Sequence, residues 1–336
     1  MDLSTTYLGL TLRNPLVASP SPLSYSLDGI KRLADGGVGA IVLFSLFEEQ
    51  LREEAARAIR LVEETAESFP EALDYFPSVV DEDGGPRAYL VLLERAVSAV
   101  DVPVIASLNG VTPEGWTDYA RAMQDAGAAA IELNIYYLPG DPEISGREVE
   151  QRHIDVLTRV KSTVDVPVAV KMAPYFSSAG EMALRLDEAG ADGLVLFNRF
   201  LQPDIDPEQL AVLPRVNLSS PADARLARTW IAMLRGRVRA SLAATSGVEV
   251  PSDVARYLLA GADVVMSTSA LLRHGPSYAA DLLDGLTAWI SRKGFADLAR
   301  VRGLLAVPAE TDAAAYERAG YVTAMRAANA GDYSPW

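Results

Sequence analysis

No cysteine occurs among the 336 residues. That excludes a disulfide framework, a thiolate metal site and a cysteine nucleophile. Histidine is nearly as scarce, with only His153 and His274. A multi-histidine metal centre is therefore not expected, and no metal is assigned. No apolar run approaches the ~18 residues that a membrane-spanning helix needs. The first seven residues lack the basic-then-apolar order of a secretory signal. These absences make a cytoplasmic protein without a membrane partner the expectation. Positive charge is in deficit, 30 Lys and Arg against 45 Asp and Glu, for a net charge of -15. This disfavours nucleic acid or an anionic membrane as partner. Hydrophobic content of 49% beside 22% charged residues is that of a soluble globular chain, long enough for one large domain.

What is present is organised around residues 129–139, Ala-Ala-Ile-Glu-Leu-Asn-Ile-Tyr-Tyr-Leu-Pro. A short apolar strand there ends in an amide and two phenols, so it delivers polar groups to a site. Upstream, residues 6–12 alternate around Gly9 and predict a small hairpin. Residues 16–20 read as a first buried strand, followed by a helix over 27–35 that the Gly36-Gly37 pair ends. Residues 38–43 read as a second strand and 47–65 as a long surface helix. The polar stretch 74–85 reads as a long loop, a lid or binding loop.

Beyond it the chain settles into a rhythm. Asp-Val-Pro-Val opens a strand at 101 and again at 165. Ala-Gly-Ala recurs at 126, 189 and 260, each time as a helix-ending glycine before a buried strand. Helices are predicted over 114–126, 148–164, 178–189, 253–259 and 278–292. Eight candidate strands fall near residues 16, 39, 104, 130, 168, 194, 241 and 264. Strand-plus-helix units of about 30 residues imply parallel strands with right-handed crossovers. Eight of them close a (β/α)8 TIM barrel, here with an N-terminal β-hairpin. A doubly wound sheet would want Gly-x-Gly-x-x-Gly after its first strand, and the sequence has none there.

A barrel's active site lies at the C-terminal strand ends. Those ends carry Ala18-Ser19, Phe44-Ser45, Asn109, Asn134 with Tyr136 and Tyr137, Lys171, Asn198-Arg199, Thr245-Ser246-Gly247 and Ser267-Thr268-Ser269. Carboxylates are almost absent. Lys171 ends an apolar strand, and a buried ammonium costs several kcal/mol unless an anion meets it. It either reaches back to a neighbouring acid or to solvent, or it holds an anion at the barrel mouth. The small, hydroxyl-rich seventh and eighth ends fit ordinary helix caps or a phosphate site. Taken with Lys171, they suggest a phosphorylated, anionic cofactor across the mouth.

At these residues the chain resembles the dihydroorotate dehydrogenases. The resemblance rests on the hairpin and Leu-Arg-Asn-Pro-Leu-Val-Ala-Ser, the Glu-Leu-Asn strand end, Val-Lys-Met-Ala-Pro-Tyr-Phe and the late Leu-Ala-Gly-Ala-Asp block. It is closest to the soluble, fumarate-linked kind, in a sub-branch usually described as dihydroorotate dehydrogenase-like. It implies a single FMN-binding barrel over residues 1–307, followed by a C-terminal extension over 308–336. FMN would lie at the strand ends. Lys171 would sit beside flavin N1 and O2. Ala18, Ser19, Ser45 and Asn109 would border the flavin, and Asn134 and Asn198 would bond flavin or substrate. Thr245, Ser246 and Gly247, with Ser267, Thr268 and Ser269, would hold the FMN phosphate. Ser219 and Ser220 would help to enclose the cofactor. The family also implies a homodimer.

The departures bear on the chemistry. The family's catalytic Cys or Ser is here Tyr137, its second-strand lysine is Phe44, and the serine after the second asparagine is Arg199. Pro139 stands for a substrate-binding asparagine, and residues 75–80 for the family's Asn-containing loop. Phenols titrate near pH ~10 in water, poor for a base and suitable for an acid at neutral pH. Tyr137 with Lys171 then form the expected catalytic pair, with Tyr137 giving a proton as hydride reaches a C=C bond. Arg199 would grip a substrate carboxylate. Aromatic packing over the barrel mouth is the alternative for both tyrosines. The function expected is FMN-dependent oxidoreduction at CH–CH or C=C bonds, of dihydroorotate or another enoate. An ene-reductase of other specificity and a non-catalytic barrel scaffold are the alternatives.

Overall fold

The computed structural model describes residues 1–50, 85–110, 116–137, 140–200, 203–213 and 217–329. It opens with an antiparallel hairpin, β1 (Thr5–Tyr7) and β2 (Leu10–Leu12), joined through Leu8 and Gly9 at φ 54° and 75°. Two left-handed residues make the mirror-image turn whose twist matches that of the strands. The turn points into the barrel floor. Leu8 N donates to Ser241 Oγ at 3.1 Å, and a Cβ on Gly193 would fall 2.5 Å from Leu8 Cδ2. Those two residues begin barrel strands, so the hairpin stoppers the amino-terminal mouth. Burial and nearby Glu132 hold the Tyr7 phenol well above its ordinary pKa.

Every one of the eight expected strands is present, and all are parallel. They are β3 (Leu16–Ala18), β4 (Ala40–Phe47), β5 (Val104–Gly110), β6 (Ala130–Ile135), β7 (Val168–Met172), β8 (Gly193–Leu196), β11 (Ser241–Ala244) and β12 (Val264–Ser267). They close as β11-β12-β3-β4-β5-β6-β7-β8, while β9 (Asp204–Asp206) and β10 (Ala211–Leu213) form a separate hairpin. Alternate residues face inward. Val42, Ile105, Ala130, Ala169 and Val195 pack with Tyr7 and Leu8 inside, whereas Leu43, Ile131 and Val170 pack outward under the helices. The chain is thus a (β/α)8 barrel with an N-terminal hairpin.

The outer layer contains α1 (Leu27–Asp35), α2 (Pro86–Ala99), α3 (Thr117–Asp125), α4 (Gly146–Lys161), α5 (Ala179–Glu188), α6 (Ala224–Leu234), α7 (Pro251–Ala260), α8 (Ser269–His274) and α9 (Tyr278–Arg292). α10 (Ala313–Asn329) follows in the C-terminal extension and is almost wholly exposed. The sequence reading passes over α2, α6, α8, α10 and the β9–β10 hairpin. α2 begins at Pro86, directly after a Gly-Gly pair that signals a loop, because proline suits the first helical turn. The second strand also runs past its expected end at 43, since β4 keeps pairing with β5 as far as Phe47↔Asn109 across a register shift. The helix expected over 47–65 lies outside the described residues beyond Gln50, and so does nearly all of the loop expected over 74–85. Among the described residues no helix is long and apolar enough to cross a membrane.

The repeated Gly-Ala-Asp phrase has a tertiary reason. Gly190 and Gly261 sit at φ 96° and 120°, where a side chain would be strained. The aspartate that follows clamps the start of a neighbouring strand. Asp192 Oδ2 accepts from Val168 N at 2.7 Å, and Asp263 Oδ2 accepts from Leu242 N at 2.8 Å. Asp263 Oδ1 also meets Arg235 at 2.9 Å and Arg302 at 3.2 Å. Asp263→Ala is expected to destabilise the protein by about 3 kcal/mol, the low end for breaking a buried pair because both arginines are partly exposed. Urea unfolding of the two proteins measures it.

His153 on α4 is buried, its Nδ1–H donating to the Val149 carbonyl at 2.8 Å and its ring edge-on to Phe176. Burial lowers its pKa below the ordinary imidazole value. The unfolded chain then binds the extra proton. Its stabilising share is present above about pH 6.5 and is lost as pH falls below that. His153→Leu is expected to flatten the fall in unfolding midpoint between pH 7 and 5. An unchanged slope would show that other groups carry it.

Candidate active site

Strand alternation carries the polar residues of the middle strands to the carboxyl-terminal mouth. Glu132 and Asn134 share a face with inward Ala130, and Lys171 shares one with inward Ala169. Asn134 and Lys171 are register partners on adjacent strands. Above them lies a cavity of about 630 Å³, walled by Ser45, Asn109, Asn134, Asn198 and Arg199 and by several aromatic rings. A second of about 220 Å³ adjoins it, lined by Ser19, Ser219, Thr245, Ser246, Gly247, Ser267, Thr268 and Ser269. Lys171, Asn198, Arg199 and Asn217 border both. Among the described lining residues there are two cations, Lys171 and Arg199, and no carboxylate. In a chain of net charge -15 this is a local reversal of sign.

Lys171 Nζ lies 3.5 Å from Glu132 Oε1, with the glutamate side chain 1% exposed. Glu132 Oε2 has no hydrogen-bond partner. The pair is long and incompletely bonded, which leaves Lys171 donor capacity at the junction of the two chambers. Asn134 Oδ1 accepts from Asn198 Nδ2 at 2.7 Å, fixing both amides across the mouth. Ser45 and Ser107 hydroxyls bond at 2.8 Å. Arg199 is exposed and donates through Nη1 to the Asn217 carbonyl at 2.8 Å.

The small chamber is drawn together from distant parts of the chain. Ser219 Oγ bonds Ser269 Oγ at 2.9 Å and accepts from Gly247 N at 3.1 Å. Tyr257 O–H donates to the Ser246 carbonyl at 2.8 Å, and burial pushes its phenol pKa up, so it remains a donor. Ser246 and Gly247 take φ of 79° and 68°. A Cβ at Gly247 would meet Ala224 N and Ser220 O, each at 2.7 Å. Ser267 Oγ is buried in this lining with no hydrogen-bond partner. Such a group fits an acceptor brought by a ligand.

Ala18 is buried at the end of β3, just before Ser19 in the small chamber. Three expected site residues line neither cavity: Ala18, Tyr137 and Ser220. Tyr137 is absent from both linings and lies under the Arg152 guanidinium, 4.1 Å from its ring centroid. Tyr136 faces the large chamber instead. Ser220 is exposed and caps a short turn through Asp223, outside both cavities. Arg273 and His274 both pair with Glu249, and Arg273 also holds the Ser219 carbonyl at 2.9 Å. Residues that the sequence reading missed are Asn217 and Phe200. Tyr136 stood at the strand end in the sequence without an assigned role, and Asn217 carries no local signal.

Fold and site define a (β/α)8 barrel with a two-chamber, cation-bearing small-molecule site at the strand carboxyl ends. The chain belongs to the dihydroorotate dehydrogenase family of oxidoreductases, whose profile matches residues 2–290. Relatives at 27% identity reach three differently named groups. One is the catalytic subunit of dihydroorotate dehydrogenase B (NAD(+)) from Methanothermobacter thermautotrophicus, matched over 90% of this chain and 98% of that protein. Another is the NAD-dependent dihydropyrimidine dehydrogenase subunit PreA of Escherichia coli, over 92% and 79%. A third, from Aeropyrum pernix, carries the provisional name dihydroorotate dehydrogenase A (fumarate), over 90% and 97%.

Proposed function

We propose that this protein is an FMN-dependent oxidoreductase acting on a CH–CH or C=C bond, related to the dihydroorotate dehydrogenases of pyrimidine biosynthesis. The observation that carries this reading is Lys171, a scarcely exposed cation bordering both chambers. The residues fit the group. The small chamber offers hydroxyls, the close backbone approach at Gly247 and the unpartnered Ser267 Oγ for a phosphate. The larger chamber offers room and amides for a ring and a substrate. FMN, when bound, supplies hydride exchange with a substrate carbon.

The chain's own residues supply the rest. Thr245, Ser246, Gly247, Ser267, Thr268 and Ser269, closed over by Ser219, would hold the phosphate. Ser19, Ser45 and Asn109 would border the ring, with Ala18 behind them. Lys171 would supply a preorganised positive charge for the negative charge that develops on reduction. Asn134 and Asn198 orient the substrate, and Arg199 offers a carboxylate partner. Tyr136, which lines the large chamber while Tyr137 does not, would be the phenol that holds or gives a proton at its hydroxyl. A phenol favours donation, so reduction of a C=C bond is the second reading, with an ene-reductase activity. A homodimer belongs to the same proposal, and light scattering on the purified protein tests it.

The deciding experiment is the visible spectrum of the purified protein, then anaerobic addition of dihydroorotate. A flavin spectrum that bleaches supports dihydroorotate oxidation. One that persists keeps FMN and favours the enoate-reducing reading. No flavin, even after reconstitution with FMN, refutes the proposal in favour of a scaffold.

A further inference from the structure

The large chamber is walled by aromatic rings from opposite sides of the barrel. β4 and β8 stand four places apart in the closed ring of strands, so they face each other across the mouth. Phe44 and Phe47 come from β4, beside Tyr25 from the segment between β3 and α1; Phe200 follows β8, beside Tyr136, which follows β6. Each wall is braced by further rings. Tyr25 meets Phe44 edge-on at 4.6 Å, and Phe44 meets buried Tyr89 at 5.0 Å. Tyr136 stacks on Phe200 at 4.4 Å and 29°, with Tyr175 on Phe200 at 5.6 Å. The aromatic faces are therefore set before a ligand arrives.

A dihydropyrimidine carries N–H and C=O groups around most of its rim, and each needs a partner once buried. Here part of the available amide capacity is already spent. Asn134 Oδ1 is taken by Asn198, and the Asn217 carbonyl by Arg199. Ring faces instead favour a flat apolar group, held by offset or edge-on stacking. Arg199 adjoins Phe200 in sequence and lines the same chamber, so a carboxylate and a flat ring can be held together.

We infer that this chamber takes a flat, aryl-substituted 2-enoate, its carboxylate at Arg199 and its ring between the two aromatic walls. This rests on the reading of the protein as a CH–CH or C=C oxidoreductase and names its substrate class.

The test is equilibrium dialysis of trans-cinnamate and of orotate against the full-length protein with added FMN, flavin content being read separately from the visible spectrum. Cinnamate is expected to bind at least about tenfold tighter than orotate. Phe200→Leu is expected to weaken cinnamate about three- to tenfold, the range of an aromatic pair, and to leave orotate within twofold. Tyr136→Leu reads the same wall if Phe200→Leu does not fold. Orotate binding as tightly as cinnamate, or cinnamate affinity untouched by both variants, overturns the inference. A protein that holds FMN and prefers orotate loses the substrate class and keeps the redox reading. One that binds cinnamate without holding FMN loses the redox reading while the ligand class stands.

Discussion

Replacing Lys171 by Met is expected to slow flavin reduction or reoxidation by the substrate about 100- to 1,000-fold, the effect of removing one preorganised donor at a developing charge. The same change should also destabilise the fold. Glu132 is 1% exposed, and Lys171 is its ion-pair partner among the described residues. Deleting one partner of a buried ion pair costs about 3–5 kcal/mol, because the remaining charge is left without compensation. The two effects can be separated. In the double variant Lys171→Met, Glu132→Gln, the buried carboxylate becomes a neutral amide, so most of the stability should return. The redox rate should not. If the double variant regains both, Lys171 serves only to neutralise Glu132, and its assigned role in the redox step is wrong. Stopped-flow spectroscopy and urea unfolding supply the two readings.

Gly247→Val is expected to abolish retention of FMN through purification. Gly247 has φ 68°, a region a β-branched residue rarely enters. Its Cβ would also lie 2.7 Å from two backbone atoms, Ala224 N and Ser220 O, and backbone cannot swing aside as a flexible side chain can. The segment must therefore move, and with it the Gly247 N–H that donates to Ser219 Oγ. Strain of this kind costs about 1–3 kcal/mol, with the clash in addition. Ser220, exposed and outside both cavities, supplies a control. Ser220→Ala should keep FMN. Flavin content per chain, from the ratio of visible to ultraviolet absorbance, distinguishes the two. Gly247→Val protein that retains full flavin would remove this loop from the cofactor site.

Several elements were legible in the sequence because they depend on local rules. Four of the eight strands announce themselves as apolar runs after Asp-Val-Pro or Gly-Ala-Asp phrases, and the other four as short apolar runs alone. Lys171 is a polar residue in an apolar strand, and simple alternation from Ala169 turns it inward. Helices α1 and α9 match their predicted bounds because capping and periodicity agree there. Other features depend on partners remote in the chain. α2 hides behind a Gly-Gly-Pro signal, and its burial of Tyr89, Leu93 and Ala96 is visible only against the barrel.

The sequence alone determined the fold class, the positions of the barrel strands and the buried lysine, since each follows from nearest-neighbour chemistry and periodicity, while the family resemblance rested on particular motifs and their order. Only the tertiary structure decided which of two adjacent tyrosines faces the chamber, because β6 ends at Ile135 and Arg152 of α4 lies over Tyr137. It alone joined Ser219, Gly247 and Ser269 into one cradle and excluded Ser220 from it. It alone set Phe44 and Phe200 on opposite walls, since strands far apart in sequence become facing neighbours only when the barrel closes.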